Sequence, residues 1–485
     1  LFASQKDELA LMRRRDYHTM KHGCKRMPVM LSLALCPMLL LPLNDALALR
    51  RSGVLYRSER WHPADSPIRV VGELRIPRGV SVTINPGVVV ELLPTKGKPG
   101  RIVVDGELRA IGTALQPIVF RSTIDIQGTD NRSYEGIIIS PTATPANLEG
   151  TKGCAFKYCV FTNGRHPLVA KRTPVYIGYC WFENVGVTDA LDFAISLDAG
   201  VIEYSRIRRC GTGALFLGKD AIARGCLIED GMRDAIGGNA YIENCTIRKF
   251  PRFALSERGE SFFLFSCLVN QCGTLVTLPN ADGAFPNVTL EDTTVSNIGA
   301  DTGWGVIHIR NRSKTNKRRV TINARGSENR ILSPVLISDA IGGHEIIVQH
   351  IWWGTSNPDT KDANRFHGVG TKFTIFPVAP TDPYLQRISH EGAVVDADNK
   401  PVSDAMVWIA DSRTAPTTTD AEGRFHIRGS TPGVYTLYAY MPYVGLGKAV
   451  ADWAFAGEVS RTMGAGKEPL LIRLPGTIAS IKRGR

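Results

Sequence analysis

Small residues recur along the middle of the chain at intervals of 19 to 26 residues, each within the same local pattern. The residues three positions before and two positions after each small residue are apolar, and the residue four positions after it is polar. The small residues are Cys159, Cys180, Ser205, Cys226, Cys245, Cys267 and Thr293. A period of this length is typical of solenoid proteins.

The parity of the apolar positions predicts a bend in each repeat. Alternate residues of a strand share one face, so the small residue and the residue two positions after it point the same way, whereas the residue three positions before it has the opposite parity. A bend just before the small residue would turn all three inward. Short β-rich segments, a bend and a period of about 22 residues predict a parallel β-helix, in which like residues of stacked coils form ladders.

Apolar segments on both sides of the repeat predict the ends of this solenoid. Before it, we expect short strands at Ile68–Val71, Leu74–Pro77, Val80–Ile84 and Val88–Leu92. After it comes the pair Trp352-Trp353. A solenoid needs covered ends, because exposed strand edges would pair with other chains. We interpret the tryptophan pair as a cover for the last coil, and its alternative role is a ligand-binding platform on which a sugar stacks.

The pattern changes to antiparallel signals after a proline-rich stretch. Residues 381–386 are the predicted linker, residues 387–475 alternate polar and apolar positions between turns such as Asn399-Lys400 and Pro432-Gly433, and residues 476–485 form a basic tail. Such alternation is typical of a small sandwich of half-buried strands. The predicted fold class is therefore all-β: a right-handed parallel β-helix over 49–380, followed by a small antiparallel β-sandwich.

The first 48 residues resemble a targeting segment. Residues 1–19 are expected to be upstream read-through; a basic start after Met20, an apolar run from Val29 to Leu43 and the small-residue site Ala46-Leu47-Ala48 follow. This pattern predicts a secretory signal peptide. The alternative, a membrane anchor, is disfavoured because two prolines interrupt a run that is shorter than a span requires. No later segment is long and apolar enough to span a membrane.

Composition and charge narrow the classes of partner. The chain has 485 residues, 43% of them hydrophobic, and a formal net charge of +12. That composition is typical of a globular protein. The positive charges are scattered apart from two short runs, at 314–319 and 482–485, whereas nucleic-acid binding calls for a clustered face. We therefore expect no nucleic-acid partner.

Ten cysteines invite two interpretations. Cys24 and Cys36 lie in the leader, and five of the other eight occupy the row of small residues. An exported chain with many cysteines suggests disulfides. Parallel Cβ vectors on neighbouring coils suit the disulfide dihedral poorly, however, so we favour buried free thiols. The spacing of cysteine and histidine matches no metal motif, and no metal site is predicted.

Two parts of the chain carry a family resemblance. Val82-Thr83-Ile84-Asn85-Pro86-Gly87-Val88 and Gly106–Thr113 resemble the opening of bacterial right-handed parallel β-helix repeat proteins of the pectin-lyase-like superfamily, and Trp352-Trp353-Gly354-Thr355 resembles their closing segment. Residues 387–475 are similar to the carboxypeptidase regulatory-like, transthyretin-type β-sandwich. The first resemblance implies a fold and leaves lyases, hydrolases, adhesins and surface proteins open. The second implies no peptidase activity.

One cluster is the best candidate for chemistry. Glu229, Asp230, Arg233 and Asp234 follow the inward residues of one coil, and carboxylates with an arginine could bind a uronate through Ca²⁺, the one cofactor we consider. The alternative is ordinary turn polarity, because the residue four positions after the small residue is polar in every coil. Asp230, Arg233 and Asp234 are thus the catalytic candidates, and no phosphate loop or nucleophile motif accompanies them.

These observations leave three functions open. The first is an exported, non-catalytic protein of the cell surface, envelope or periplasm that binds polysaccharide or other envelope components. The second is a polysaccharide lyase or glycoside hydrolase with a site on one face of the β-helix. The third is a structural spacer. We favour the first and expect no cofactor for it.

Overall fold

A computed structural model gives the architecture of the chain. It describes residues 48–95, 99–122, 134–186, 193–256, 261–277, 287–299, 305–309, 319–325, 329–333, 336–339, 343–362, 364–383, 388–430, 433–452, 463–464 and 470–484. The predicted signal peptide up to residue 47, most of the basic run at 314–319 and half of the predicted linker lie outside these residues.

The first part of the chain forms short strands. They are β1 Arg50–Val54, β2 Glu59–Trp61, β3 Ile68–Ile76, β4 Ser81–Ile84, β5 Val89–Leu93, β6 Gly100–Val104, β7 Glu107–Ile111, β8 Ile118–Arg121, β9 Tyr134–Ile139, β10 Ala155–Lys157, β11 Cys159–Thr162, β12 Leu168–Ala170, β13 Val175–Gly178, β14 Trp181–Glu183, β15 Phe193–Glu203, β16 Arg206–Arg208, β17 Gly213–Arg224, β18 Leu227–Glu229, β19 Ile236–Glu243, β20 Thr246–Phe253, β21 Ser261–Phe265, β22 Leu268–Thr274, β23 Val276–Thr277, β24 Asn287–Glu291, β25 Thr294–Ser296, β26 Ile307–Ile309, β27 Arg319–Arg325, β28 Arg330–Leu332, β29 Ile337–Asp339, β30 Glu345–Val348, β31 Phe366–Gly368 and β32 Lys372–Thr374.

The last part forms β33 Ile388–Val395, β34 Met406–Ile409, β35 Thr417–Thr418, β36 Arg424–Ser430, β37 Val434–Met441, β38 Gly445–Asp452, β39 Met463–Gly464 and β40 Leu470–Arg473. One 3-10 turn, Pro63–Asp65, and one short helix, α1 Ala479–Gly484, complete the described elements.

Parallel pairing between successive coils builds three faces, which fits a right-handed parallel β-helix. Face 1 runs through β4, β7, β10 and β13; face 2 runs through β8, β11, β14, β16 and β18; and face 3 runs through β6, β9 and β12. Long strands turn a corner: in β15, Ile195 pairs on face 3 and Ile202 pairs on face 1. The predicted β-helix is thereby confirmed.

The ladders have the register that the repeat predicts. On face 2, the residues two positions after the small residue pair in one continuous row, and on face 1 the residues three positions before it do the same. The rows are Phe161, Phe182, Ile207, Ile228, Ile247, Val269 and Val295 on face 2, and Phe156, Ile177, Ile202, Ala223, Ile242, Leu264 and Leu290 on face 1. Every member of both rows is at most 1% exposed.

Left-handed residues make the corners of each coil. The residue just before every small residue has a positive φ, as in Tyr179 (55°) and Asn244 (52°), so the predicted bend lies where expected. The polar residue four positions after the small residue is also left-handed, as in Asn184 (53°) and Asp230 (55°). Asparagine and aspartate tolerate this conformation better than most residues. This second corner explains the polar row, which the pattern alone had not located in the coil.

The small residues form a hydrogen-bonded ladder. At Cys180, Cys226, Cys267 and Thr293 the backbone N–H donates to the side chain of the next rung, for example from Cys180 to Ser205 Oγ at 3.0 Å and from Cys226 to Cys245 Sγ at 3.3 Å. The Cys245 thiol in turn donates to the carbonyl oxygen of Glu243 at 3.2 Å. The ladder ends where the Thr293 N–H donates to Asn329 Oδ1. Cysteine, serine and threonine are thus interchangeable here because each side chain both accepts and donates.

The eight cysteines of the described residues are buried and free, as predicted. Burial raises the pKa of the Cys267 thiol to about 12 and that of Cys245 well above its usual value. A thiol in this state is protonated at neutral pH and unreactive. The ladder cysteines therefore act as structural side chains.

The last eight strands form the predicted sandwich. One sheet has the order β36-β33-β40, the other β35-β34-β37-β38-β39, and all pairs are antiparallel except β33 with β40. Its core includes Val394, Phe425, Ile427, Leu437 and Ile472. The prediction of a small β-sandwich in this region is confirmed.

Candidate functional site

The sandwich packs directly on face 2 of the β-helix. Val160, Trp181 and Leu227 point outward from their coils, and each is at most 9% exposed because Met406 and Tyr440 of the sandwich belong to the same apolar cluster. Exposed strand faces are usually polar, so an apolar outward row is the sequence signal for this contact. Val160, Trp181 and Leu227 were not predicted as contact residues, although the sequence carries this signal.

A second row of the same contact is aromatic. The rings of Tyr158, Tyr179 and Tyr204, which occupy the left-handed corner before the small residue, stack at 4.9 and 5.4 Å between centroids. Trp408 of the sandwich lies 5.3 Å from the Tyr204 ring and Tyr440 lies 5.6 Å from the Tyr158 ring. Burial raises the pKa of all three coil tyrosines. Their packing fixes the sandwich along three coils.

Charged side chains complete the contact. Glu229, 1% exposed, accepts hydrogen bonds from Arg206 Nε at 2.6 Å and from Arg248 Nε at 2.8 Å. Asp404 of the sandwich pairs with Arg206 and with Arg208, each at 3.2 Å. Burial alone would raise the pKa of Glu229, but the two arginines outweigh it and the pKa is lowered. Glu229 is therefore a charged partner in the interface between the domains.

Glu229 and Asp230 of the predicted cluster have different surroundings. Glu229 faces the sandwich, whereas Asp230 occupies a left-handed corner with its carboxylate 3.6 Å from Lys249 Nζ. Arg233 and Asp234 follow the corner, and Asp234 accepts a hydrogen bond from Ser256 Oγ at 3.0 Å. Within the described parts of the chain, no three histidine, cysteine or acidic side chains are grouped closely enough to hold a metal ion.

The tryptophan pair divides between core and surface. Arg330 forms a parallel β-bridge with Trp352. The next residues on the two coils are Ile331 and Trp353, so Trp353 continues the inward row of face 2 after Ile331. Trp353 is 1% exposed and its ring lies 6.3 Å from that of Phe366. Its ring therefore has no face free for a sugar, which corrects the platform alternative for this residue. Trp352 remains half-exposed.

Two clefts flank the sandwich on face 2. The first, which we call the Tyr443 cleft, has a volume of about 540 Å³. Its apolar wall includes Val160, Trp181 and Met441, with the half-exposed Tyr443 at the edge. Its polar groups include two corner amides, one carboxylate and two guanidinium groups, from Asn163, Asn184, Glu183, Arg121 and Arg209.

The polar groups of the Tyr443 cleft are ordered by ion pairs. Arg209 Nη1 lies 3.1 Å from Glu183 Oε1, which Arg208 also contacts at 2.7 Å. Arg121 Nη2 lies 2.9 Å from Glu91. A concave site with an apolar wall and a few fixed polar groups is typical of small-ligand recognition. Sequence reasoning missed it because its residues come from four coils and from the sandwich.

The second cleft lies on the other side of the sandwich. We call it the Arg413 cleft; its volume is about 500 Å³. Its floor is the outer side of face 2 around Thr246, Asn270 and Ser296, and its roof is the sandwich loop that contains Arg413 and Pro416. Thr246 Oγ1 donates to the carbonyl oxygen of Pro416 at 2.6 Å, which joins floor and roof.

Comparison with known protein families supports the resemblance of the C-terminal part to a carboxypeptidase regulatory-like domain. Residues 390–450 match the family model of the carboxypeptidase regulatory-like domain, which confirms the resemblance found in the sequence. No curated protein matches the chain. No helix of the described residues could cross a membrane.

Two solved structures share a distant likeness. The Dettilon tailspike protein is 9% identical over 84% of this chain and 74% of its own, with a TM-score of 0.19. Tailspike protein 2 of the Escherichia coli O157:H7 bacteriophage CAB120 is 9% identical over 90% of this chain, with a TM-score of 0.25. This chain spans 65% of that protein, less than two thirds. The assignment of the fold is based on the strand pairing described above and not on these two structures.

Proposed function

We propose that the protein is an exported, non-catalytic glycan-binding protein of the cell surface or envelope, and that the Tyr443 cleft binds a saccharide unit. The composition of this cleft is the observation that supports the proposal. Its apolar wall suits the carbon-bound hydrogens of a sugar ring, and its amides, carboxylate and guanidinium groups suit the hydroxyls. Export is supported by the signal pattern of the first 48 residues.

The arrangement of acidic groups favours binding over catalysis. Glycoside hydrolysis uses two carboxyl groups that flank one bond, and lyases of this fold use carboxylates with calcium. The Tyr443 cleft has one lining carboxylate among the described residues, Glu183, and two arginines hold it. One carboxylate cannot supply the flanking pair that hydrolysis uses, whereas it can accept a hydrogen bond from a sugar hydroxyl.

Glycine substitutions at the corner residues give a clean test. Asn184→Gly removes the amide but keeps the left-handed backbone, because glycine adopts a positive φ without strain. Gln271→Gly is the matched control: it has the same corner position, with φ of 53°, and lines neither cleft. A glycan array would supply the ligand, and calorimetry would measure its affinity for each variant.

We expect Asn184→Gly to weaken glycan binding about 2- to 10-fold, the value of one neutral hydrogen bond, and Gln271→Gly to leave it unchanged. Equal affinity in both variants would remove the Tyr443 cleft as the site. An array with no binding at all would favour the spacer function. Appearance of unsaturated uronate or new reducing ends from a bound glycan would show that the protein is an enzyme.

A further inference from the structure

The Arg413 cleft has a one-sided charge. Three arginines line it, Arg248, Arg330 and Arg413, together with His426, whose ring nitrogen lies 3.0 Å from Glu391, and no described lining residue is acidic. Both parts of the chain contribute: Arg248 and Arg330 come from face 2, whereas Arg413 and His426 come from the sandwich. A positive cleft with protein walls on two sides concentrates the field on whatever anion enters it.

On the floor of the cleft, neutral polar side chains lie between Arg248 and Arg330. The outer side of face 2 presents Arg248, Asn270 and Ser296 in one row, since β20, β22 and β25 pair in register. Arg330 lies one coil further, beside Thr294. With about 4.8 Å between coils, the coils of Arg248 and Arg330 are about 14 Å apart. Amide and hydroxyl groups between them provide hydrogen bonds along this length.

The arginines differ in how far they are already neutralised. Arg248 pairs with Glu229 and donates to Thr418 Oγ1 at 3.0 Å, and Arg330 lies 3.5 Å from Asp382. Arg413 is exposed; its guanidinium carbon lies 5.2 Å from the centre of the Phe265 ring, and it pairs with no carboxylate of the described residues. The Phe265 ring orients Arg413 without cancelling its charge.

We propose that the Arg413 cleft binds an oxyanion group of a glycan: a carboxylate, a sulfate or a phosphate. Arginine recognises these groups through paired N–H bonds, and Arg413 is the one arginine of the cleft whose charge the described chain does not balance. The inference rests on the proposed glycan-binding function and adds the charge class of the ligand. It places acid recognition on the contact between the two domains, with neither domain sufficient by itself.

The test compares acidic and neutral saccharides in matched variants. Arg413→Gln removes the charge that no carboxylate of the described residues balances. Arg60→Gln is the control, since it removes the same charge from an arginine that is exposed on the first coil. The probes are a uronate trisaccharide, a sulfated trisaccharide, inorganic phosphate and a neutral trisaccharide. Calorimetry with the full chain at two salt concentrations measures each affinity.

We expect at least one acidic trisaccharide to bind the wild type and the Arg60→Gln variant, and to bind Arg413→Gln about tenfold more weakly, with a smaller salt dependence. The three acidic probes identify which oxyanion the cleft takes. Equal binding of the acidic probes to both variants, or no binding of any of them, would overturn the inference.

Glycan binding and acid recognition can fail independently in these experiments. In one outcome, a neutral glycan binds at least as tightly as the acidic probes, and its binding is weakened by Asn184→Gly and unchanged by Arg413→Gln. That result would retain the proposed function and reject acid recognition. Binding of inorganic phosphate alone, lost in Arg413→Gln, would show an anion site and reject the glycan as its ligand.

Discussion

Replacing Cys245 tests the hydrogen-bonded ladder at its centre. Its sulfur accepts the backbone N–H of Cys226 and its thiol donates to the carbonyl oxygen of Glu243. In Cys245→Ala, the buried N–H of Cys226 loses its acceptor, which costs about 1–3 kcal/mol. Lost packing adds about 1 kcal/mol, on the scale of one buried methylene. We therefore expect a total loss of about 2–4 kcal/mol in the free energy of unfolding.

Three further variants separate packing from hydrogen bonding. Cys210→Ala is the matched control, because Cys210 is fully buried and its thiol bonds to none of the described residues; it should lose only about 1 kcal/mol. Cys245→Ser keeps an acceptor and a donor and should lose about 1 kcal/mol or less, since Ser205 and Thr293 occupy the same row. Cys245→Asp buries a charge without a partner and should prevent folding.

Urea unfolding followed by tryptophan fluorescence, in the presence of a reductant, measures these differences. Reductant keeps all variants in the thiol state, so new disulfides do not affect the comparison. The expected order of stability is wild type, Cys245→Ser, Cys210→Ala, Cys245→Ala and then Cys245→Asp. If Cys245→Ala loses no more than Cys210→Ala, the hydrogen bond contributes nothing. If Cys245→Asp folds normally, residue 245 faces solvent and the register is wrong.

Three other changes have defined outcomes. The pKa of Asp404 is lowered, because the arginines of face 2 outweigh its partial burial. The stability that this ion pair adds is therefore fully present above the unfolded-state pKa of about 4, and it is lost as the pH falls through the lower folded-state pKa. Asp404→Asn should remove this part of the acid-induced loss of stability, and an unchanged acid transition would contradict the pairing. The double variant Asp230→Ala with Asp234→Ala should give the same calcium and glycan titrations as the wild type. Calorimetry that finds a Ca²⁺ site in the wild type and its loss in the double variant would favour the enzyme. Sequencing of the exported protein should find that it begins directly after Ala48, and a product that keeps the apolar run would indicate an anchor.

The coil register was predictable because it depends on local sequence. The bend and both apolar rows follow from parity and period, and the structure has them at the expected residues. The hydrogen-bonding role of the small residues was less visible, because it depends on the backbone N–H of the preceding coil. Cysteine suggested packing alone, whereas the exchange of cysteine with serine and threonine in one row could have indicated a polar role.

The candidate site was not predictable in the same way, because its partners are far apart in the chain. Glu229 was grouped with its sequence neighbours, yet its hydrogen-bond partners are Arg206 and Arg248 on adjacent coils. Asp404 also pairs with Arg206, from which it is separated by 198 positions in the sequence. Both clefts depend on how the sandwich rests on face 2. Periodicity gives no information about that contact.

The hydrogen-bonded ladder also gives the β-helix a direction of assembly. In each of the described bonds the N–H belongs to the earlier coil and the acceptor to the later one, from Cys180 to Ser205 and finally from Thr293 to Asn329. During synthesis, each of these N–H groups therefore gains its protein acceptor only when the next coil has been added. The coil that contains Asn329 supplies the last acceptor of this row, so the ladder is complete only when that coil has formed.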